Sequence, residues 1–306
     1  MVLVVAERMH DEEMNIDTTL VHGLLAAQFP HWADRRIEPV NLTGSDNVLY
    51  RLGDDLAVRL PRLQDAARRI GKEHQWLPRI APLPLAIPQP LAQGAPAPGY
   101  PWPWSISRWL PGQDATVVAI ADPAQASAKL GRFVAILHQL DPAGGPPPGE
   151  HNFFRGVPLA ERDAHVHAAI ESLVGIVDTR AASQAWATAL QAPAWTAAPV
   201  WIHGDLHAAN LLVHQGQLSA VIDFGGLGVG DPACDMMVAW TLFSAQTREV
   251  FRSAARGDDA TWARGKGWAL SFGLIALPYY IDTDPRLARI AQHTIDEVLT
   301  DQEDNG

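Results

Sequence analysis

Two short segments of the chain carry polar side chains of the kinds that bind metal ions and activate hydroxyl groups. In the first, the apolar run 200–202 leads into Asp205, and Asn210 follows five residues later. In the second, the apolar run 220–222 leads directly into Asp223. Apolar runs of this length, bounded by glycine and turn-forming residues, are typical of buried strands. We therefore expect the two carboxylates and the amide to meet at one sheet edge, where they would suit Mg²⁺, a cation that prefers carboxylates together with substrate phosphates.

The segment that joins the two runs is predicted to form a β-hairpin. Residues 211–213 and 218–222 are mainly apolar and flank the polar sequence His214-Gln-Gly-Gln217. A polar, glycine-containing turn between two apolar runs favours a tight antiparallel connection. The hairpin is thus the element that has to hold the two polar segments in place.

The pattern resembles the catalytic and metal-binding loops of protein-kinase-like phosphotransferases. The residues that match, in order and with the expected Asp-to-Asn spacing, are His203-Gly-Asp205, Asn210 and Ile222-Asp-Phe-Gly225. Gly204 stands where protein kinases have an arginine, and His207 follows Asp205 by two residues. Both features are similar to the aminoglycoside and macrolide phosphotransferase branch.

The resemblance implies a role for each polar residue of these loops. Asp205 would be catalytic, accepting the proton of the acceptor hydroxyl, and Asn210 and Asp223 would hold Mg²⁺. Three further residues would support the loops: His203, His207 and Asp235. Asp235 belongs to the sequence Asp231-Pro-Ala-Cys-Asp235, in which Asp231 is expected to cap a helix.

The resemblance also implies the fold class, which is α+β and bilobal, with a small, mainly antiparallel β lobe and a larger helical lobe. Residues 1–110 would form the nucleotide-binding lobe ending in the hinge, and residues 111–306 the catalytic and substrate-binding lobe. The local patterns are consistent with this division, because strand-like runs precede residue 110 and helical periodicity follows it. The predicted helices lie at 17–29, 66–77, 122–140, 159–177, 183–190 and, in two pieces, 262–300.

Several residues of the N-terminal lobe are assigned to the nucleotide through the same resemblance. The turn that contains Gly44, Ser45 and Asn47 lies where the family places its nucleotide-covering loop, although a plain hairpin turn would have the same composition. Arg59 occupies the position of the third-strand lysine, and Glu73 on the following helix would be its partner. An exposed strand arginine and an ordinary surface glutamate are the alternatives.

The strand predicted at 104–110 would lead into the hinge between the lobes. In the resembled family the hinge receives the nucleotide base through backbone groups, which makes Ser107, Arg108 and Trp109 the expected contacts. A tryptophan-rich strand that only packs the core would show the same alternation.

Composition limits the classes of function that remain. The chain has 306 residues and a formal net charge of −11, which argues against non-specific binding to nucleic acid. An acidic surface would suit a cationic substrate, and it would equally serve solubility. The single cysteine excludes an internal disulfide and a multi-cysteine metal site. We expect no signal peptide, no membrane partner and a cytoplasmic location, and the sequence does not determine the oligomeric state.

The activity expected from the resemblance is transfer of the γ-phosphoryl group of ATP or GTP to a hydroxyl of an aminoglycoside- or macrolide-like antibiotic. The link between Gly225 and Asp231 is too short for the activation segment of a protein kinase, which favours a small substrate. An endogenous sugar or amino alcohol is the alternative acceptor. Two other classes stay open: a non-enzymatic nucleotide-binding module, and a metallohydrolase that uses His203, Asp205, His207 and Asp223 as ligands.

Overall fold

The computed structural model describes residues 16–40 and 46–303 and divides into two compact units. The first unit comprises Met1–Ala81 and Ile87–Pro111, and the second comprises Pro82–Ala86 and Gly112–Gly306. The fold is mixed α and β, with an antiparallel sheet in the first unit and most helices in the second, so the predicted fold class is confirmed. The functional division into nucleotide-binding and catalytic lobes stays a prediction.

The first unit is a five-stranded antiparallel sheet with flanking helices, and its strand order is β1-β2-β3-β5-β4. Strand β4, which begins with Pro90, lies at an edge of the sheet, where a missing N–H is tolerated. The elements are α1 (Thr18–Gln28), α2 (Pro30–Ala33), β1 (Ile37–Val40), β2 (Asn47–Leu52), β3 (Leu56–Pro61), α3 (Gln64–Ile80), β4 (Pro90–Gly94) and β5 (Trp104–Arg108).

The core of the first unit is built around the fully buried indole of Trp104. The indole lies against Gly94 on the neighbouring strand so closely that a Cβ at Gly94 would be 1.9 Å from the ring. Helix α1 covers the same core with Val21 and Leu25, and its first turn is capped by the Asp17 carboxylate, which accepts from the Leu20 N–H at 2.8 Å. The predicted helix after Asp17 is thus confirmed.

The second unit combines helices with a two-stranded and a three-stranded sheet. Among the described residues, no helix is both long enough and apolar enough to span a bilayer. The elements are β6 (Gln113–Asp114), α4 (Pro123–Leu137), α5 (Asp163–Ser172), α6 (Thr179–Ala189), β7 (Val200–Ile202), β8 (Leu211–His214), β9 (Gln217–Val221), β10 (Gly228–Gly230), α7 (Ala233–Met236), α8 (Val238–Thr241), α9 (Ala245–Ala255), α10 (Asp259–Tyr280) and α11 (Pro285–Glu303), with 3₁₀ turns at Glu150–Asn152, Leu159–Arg162, Ala208–Asn210 and Phe224–Gly226.

Strands β7 to β10 hold the two polar loops. The predicted hairpin is present, because β8 and β9 pair antiparallel across a two-residue turn in which Gln215 and Gly216 both have positive φ, at 52° and 77°. This backbone matches the twist of the flanking strands. Strand β10, which follows the second polar loop, pairs antiparallel with β7, which precedes the first. Backbone hydrogen bonds between β7 and β10 therefore tie the start of the first loop to the end of the second.

Several predicted helix boundaries were wrong, including the start of α6, which is at Thr179 and not at residue 183. Helix α3 does not end before Pro78 but includes it and continues to Ile80. A proline in the last turn removes only one backbone hydrogen bond, close to a helix end where some backbone groups already have no helical partner. The segment predicted as a helix from 159 to 177 begins instead as a 3₁₀ turn, and α5 ends at Ser172.

Candidate active site

Asp205 lies in the loop after β7, and the other side chains of the loop converge on its carboxylate. The Arg155 guanidinium donates from Nη2 to Oδ1 at 3.2 Å, and the Asn210 amide donates from Nδ2 to Oδ2 at 3.2 Å. His207 Nε2 lies 3.4 Å from the same Oδ2. Burial by itself would raise the pKa of Asp205, but His207, Arg155 and His203 lower it below the ordinary value. The carboxylate is therefore ionised at neutral pH and can accept a hydrogen bond from a hydroxyl group.

His203 is a fully buried structural residue of this loop. Its Nε2 lies 3.1 Å from the Ile222 carbonyl oxygen, and its Nδ1 accepts from the Asp205 N–H at 3.2 Å. These partners assign the proton to Nε2, since a carbonyl can only accept. Burial lowers the pKa of His203, although the carboxylates of Asp235, Asp205 and Asp223 oppose the change. The neutral ring thus links the loop after β7 to the loop after β9.

The buried carboxylate of Asp235 holds the backbone of the same loop. Its Oδ1 accepts from the Gly204 N–H at 2.8 Å, and its Oδ2 accepts from the His203 N–H at 3.0 Å. His138 Nε2, at the end of α4, lies 3.1 Å from Oδ2. Asp235 is carried by α7, so the loop is fixed from a neighbouring helix as well as from its own strand.

Gly204 and Gly226 allow the two loops to approach each other closely. A Cβ at Gly204 would lie 2.6 Å from the Gly226 carbonyl oxygen, and Gly204 also has a positive φ of 81°. Both conditions favour glycine. A Cβ at Gly226 would lie 2.8 Å from the His203 carbonyl oxygen and 3.4 Å from the Asp205 Cβ. The second loop therefore packs directly on the backbone that carries Asp205.

Asn210 and Asp223 are the residues predicted to hold a metal ion. The Asn210 side-chain amide donates from Nδ2 to the Asp205 main-chain oxygen at 2.9 Å. The Asn210 main-chain oxygen accepts from the N–H of Ile222, the residue before Asp223, at 2.9 Å. In this orientation the contacts of the Asn210 side chain are made by Nδ2, which leaves the amide oxygen for a cation. Asp223 is exposed, and its Oδ1 accepts from the Gly225 N–H at 3.1 Å. One amide oxygen and one exposed carboxylate fit Mg²⁺, which usually keeps water and substrate phosphates as its remaining ligands.

His207 packs beneath Asp205 and Asn210. Its ring stacks on Phe272 of α10, with 5.5 Å between centroids and an interplanar angle of 24°. Its Nε2 is 3.2 Å from the Asn210 amide nitrogen, so it can accept from Asn210 or, when protonated, donate to Asp205. Either contact orients the side chains of the loop.

The arrangement does not support a metallohydrolase. Within the described residues, no group of three or more His, Cys, Asp or Glu side chains could hold a metal ion. His203 in particular uses both ring nitrogens on backbone groups.

In the first unit, Arg59 on β3 and Glu73 on α3 form an ion pair through Nη2 and Oε2. Glu73 is almost completely buried, whereas the Arg59 side chain is 22% exposed. A buried carboxylate needs such a partner, which is why the two positions are coupled. The pair also affects His74, whose pKa is lowered by burial and by the charge of Arg59.

The residues expected to contact the base lie at the end of β5. Ser107 pairs with Ala57 on β3, and Arg108 is exposed and lies 3.5 Å from an Asp55 carboxylate oxygen. The Arg108 N–H donates to the Gln89 carbonyl at 3.0 Å, and the Trp109 N–H donates to the Asp55 carbonyl at 2.8 Å. Both N–H groups are therefore engaged within the first unit, and a base contact would depend on carbonyl oxygens.

The predicted phosphate-contacting turn is only partly described. Gly44 and Ser45 lie outside the described residues, and Asn47 is the first residue of β2.

Sequence reasoning missed Arg155 and His138, which contact Asp205 and Asp235. Arg155 lies in a glycine- and proline-rich loop that has no periodicity, 50 positions before its partner. His138 ends a helix whose apolar face gives no sign of a polar contact. Arg155 and His138 are recognised as part of the site only because the fold places them beside Asp205 and Asp235.

Comparison with known proteins identifies a family that the chain matches. The model of the phosphotransferase enzyme family matches residues 37–268. No curated protein sequence matches the chain significantly.

Solved structures resemble the chain over nearly its full length. The GDP complex of aminoglycoside 2′-phosphotransferase IIIa has a TM-score of 0.69 at 20% identity, covering 94% of this chain and 100% of that one. The streptomycin–ATP complex of the phosphotransferase APH(2″)-IIa has a TM-score of 0.59 at 16% identity, with coverages of 92% and 99%. The macrolide 2′-phosphotransferase of Brachybacterium faecium has a TM-score of 0.58 at 22% identity, with coverages of 92% and 98%. At these identities the likeness shows a shared fold.

Proposed function

The chain belongs to the phosphotransferase enzyme family, and on that premise we propose that it transfers the γ-phosphoryl group of ATP or GTP to a hydroxyl group of a small molecule. The observation that carries the proposal is the ionised Asp205 carboxylate, which is held by Arg155 and Asn210 while its side chain stays 29% exposed. An accessible, fixed carboxylate is what orientation of a nucleophilic hydroxyl requires.

Asp205 is proposed to accept the hydrogen bond of the acceptor hydroxyl and to receive its proton. The hydroxyl oxygen forms a bond to the γ-phosphorus, and the bond from that phosphorus to the β–γ bridging oxygen breaks, which releases the nucleoside diphosphate. Such a transfer depends on positioning and charge stabilisation more than on covalent catalysis. The hydrogen bonds that the Asp235 carboxylate and His203 Nδ1 accept from the loop N–H groups keep its backbone in the geometry that this step needs.

Asn210 and Asp223 are the residues that would hold Mg²⁺. When bound, the cation would neutralise charge on the β and γ phosphate oxygens. The Asn210 amide group links this site to the base, because its nitrogen contacts Asp205 while its oxygen remains for the cation.

Arg59 and Glu73 are proposed to serve the nucleotide. A guanidinium fixed by a buried carboxylate is held in a defined direction towards phosphate oxygens, and arginine is suited to two-point contacts with them. A nucleotide donor is supported by the solved structures with this fold, which include a GDP complex and an ATP complex.

The acceptor is proposed to be an aminoglycoside- or macrolide-like antibiotic, since the solved structures with this fold include enzymes for both classes. An endogenous sugar or amino alcohol is the second candidate. It is favoured by the arginine next to Asp205, because a cation at that point does not suit a polycationic acceptor.

A screen of ATP and GTP against hydroxyl-bearing antibiotics and metabolites, with release of nucleoside diphosphate as the readout, tests the proposal. Asp205→Asn keeps the size of the side chain but removes its charge and proton-accepting ability. We expect this variant to bind nucleotide like the wild type and to lose turnover by several orders of magnitude. Near wild-type phosphorylation by Asp205→Asn would exclude Asp205 as the base.

A further inference from the structure

Arg155 is the only arginine among the described residues that touches the Asp205 carboxylate, and the proposed transfer gives it no contact with the acceptor. Its Nη2 makes the 3.2 Å contact with Asp205 Oδ1. The Nε and Nη1 atoms are buried and have no acceptor in the described part of the chain. Buried guanidinium donors without acceptors are costly and usually indicate a missing oxygen partner.

The loop that carries Arg155 is fixed by the completely buried Asn152. The Asn152 amide oxygen accepts from the Gly149 N–H at 2.9 Å, and its nitrogen donates to the Arg155 carbonyl at 3.1 Å. The next carbonyl, that of Gly156, accepts from the Asp231 N–H at 2.8 Å. The backbone of Arg155 is thus held from both sides, which places its side chain beside Asp205 as part of the fold.

Arg162 lies close to Arg155 across one indole ring. The guanidinium carbons of Arg162 and Arg155 are 5.5 Å and 6.0 Å from the ring centroid of Trp268. Burial and the charge of Arg155 lower the pKa of Arg162 to about 10, so Arg162 remains cationic at neutral pH. Its polar contact is a weak one, from Nε to Ser271 Oγ at 3.4 Å. Within the described residues, no carboxylate lies within ion-pair distance of Arg162.

These contacts leave an excess of positive charge beside the proposed base. Only Arg155 is paired with a carboxylate, that of Asp205, and this carboxylate must also receive the acceptor hydroxyl. A substituent next to the hydroxyl therefore meets a partly buried cation. An ammonium group there would be repelled, whereas an oxyanion would pair with the guanidinium through charge-assisted hydrogen bonds.

We propose that Arg155 and Arg162 form an oxyanion-recognition site, which selects acceptors that carry a carboxylate or phosphate group near the hydroxyl bound by Asp205. The consequence for substrate choice rests on the proposed function, since it assumes that Asp205 receives the acceptor, and it favours the second candidate, an endogenous sugar, over an aminoglycoside. The binding itself does not depend on phosphoryl transfer. Sugar acids and phosphorylated sugars are acceptors of the required chemistry.

The test measures binding without nucleotide by titration calorimetry, using four hexoses that differ mainly in one substituent: D-glucuronate, D-glucose 6-phosphate, D-glucose and D-glucosamine. We expect at least one anionic hexose to bind about tenfold or more tightly than glucose, and glucosamine to bind most weakly. Comparison of the two anionic probes separates a carboxylate preference from a phosphate preference. Equal or tighter binding of glucosamine, or no measurable binding of either anion, overturns the proposal.

Variants assign the preference to the two arginines. Arg162→Gln and Arg155→Gln should each abolish the advantage of the anionic hexoses, and Arg155→Lys should retain part of it. Arg180→Gln, which removes an exposed arginine on α6, should behave like the wild type. Arg162→Gln and Arg155→Lys keep the test decisive if Arg155→Gln fails to fold. An anion preference that persists in Arg162→Gln and in a folded Arg155 variant would place the binding elsewhere and overturn the proposal.

The two proposals can fail separately. Anion binding that depends on these arginines, without release of nucleoside diphosphate from any acceptor, would leave the recognition site standing and remove the phosphotransfer. Turnover of a cationic antibiotic that requires Asp205 and is unchanged in Arg162→Gln would confirm phosphotransfer and overturn the recognition site.

Discussion

Asp235 accepts a hydrogen bond from the backbone N–H of Gly204 at 2.8 Å, so a carboxylate on one helix holds the main chain beside the proposed base. The same carboxylate accepts from the next N–H towards the N-terminus, at His203. Two adjacent N–H groups that meet one ionised carboxylate form strong, charge-assisted bonds. The position of Asp205 is therefore set from α7 as well as from β7.

Asp235→Asn should lower both stability and turnover. The side-chain NH₂ group of asparagine would face one of the two backbone N–H groups, of His203 or Gly204, and that N–H would lose its acceptor. The site is completely buried. We expect a loss of roughly 2–3 kcal/mol in the free energy of unfolding, measured by denaturant titration, because a buried donor is left unpaired. Turnover should fall more than tenfold at temperatures where the variant is folded.

Asp178→Ala is the matched control for that experiment. It removes a carboxylate that caps α6 through the Ala181 N–H at 2.9 Å, and it should cost about 1 kcal/mol of stability without lowering turnover of the folded enzyme. If Asp235→Asn lost stability but kept wild-type turnover, Asp235 would only stabilise the fold.

Gly204→Ala should be among the most damaging small substitutions in the chain. Its Cβ would lie 2.6 Å from the Gly226 carbonyl oxygen, and the backbone has a φ of 81°. Relief requires separation of the two loops, which would displace Asp205. We expect a loss of stability of roughly 2 kcal/mol or more, visible as a lower Tm, together with a large drop in kcat.

Gly23→Ala makes the same chemical change and is expected to raise stability where Gly204→Ala lowers it. Gly23 lies within α1, and its added Cβ would meet no atom within 4 Å. The helix should gain up to about 1 kcal/mol, because alanine is the better helix former. A Gly204→Ala variant as stable as Gly23→Ala would contradict the close packing of the loops.

The Arg59–Glu73 pair should be needed for nucleotide binding. Arg59→Met is expected to raise the KM for the nucleotide at least tenfold while the KM for the acceptor stays nearly constant. Arg59→Lys keeps the charge and should recover a large part of the affinity. Arg68→Met, which removes an arginine with a side chain 68% exposed on the same helix as Glu73, should leave both constants unchanged. If Arg59→Met and Arg68→Met changed the KM for the nucleotide equally, Arg59 would have no specific role in nucleotide binding.

Cys234 should be chemically inert in the folded protein. Burial raises the pKa of its thiol, and the charge of Arg155 only partly opposes this. The unfolded thiol ionises near its ordinary pKa of 9.0 while the folded thiol stays protonated, so stability falls as pH rises above that value. Native protein should resist iodoacetamide at pH 8 and react on unfolding. Cys234→Ala should flatten the loss of stability above pH 9.0 by at most about 1.4 kcal/mol per pH unit. Rapid alkylation of the native chain would contradict the burial.

Local sequence chemistry predicted those parts of the fold that depend on neighbouring residues. Asp17 and Asp122 cap the helices that they precede, because a short carboxylate side chain reaches the N–H three positions later. The turn at Gln215 and Gly216 follows from its polar residues and glycine. The polar residues that follow β7 and β9 lie close together because the tight β8–β9 hairpin turns the chain back towards the first polar loop.

The surroundings of Asp205 could not be predicted in the same way. Arg155 reaches it from a loop 50 positions away, and its placement depends on the buried side chain of Asn152 and on the Gly156–Asp231 backbone contact. None of these contacts produces a periodic pattern. The extension of α3 through Pro78 is similar, because tertiary packing of Leu77 and Ile80 offsets a local penalty that the sequence displays clearly.

The pairing of β10 with β7 has a consequence for control of the enzyme. The segment Phe224-Gly-Gly-Leu-Gly-Val-Gly-Asp231 contains no serine, threonine or tyrosine, and its glycines are packed so tightly that a Cβ at Gly230 would lie 2.6 Å from the Gly156 carbonyl oxygen. In protein kinases the corresponding segment is a regulatory switch, whereas here it is a short, closely packed strand. Phosphorylation within this segment therefore cannot switch the catalyst on or off, because the segment offers no hydroxyl group to modify.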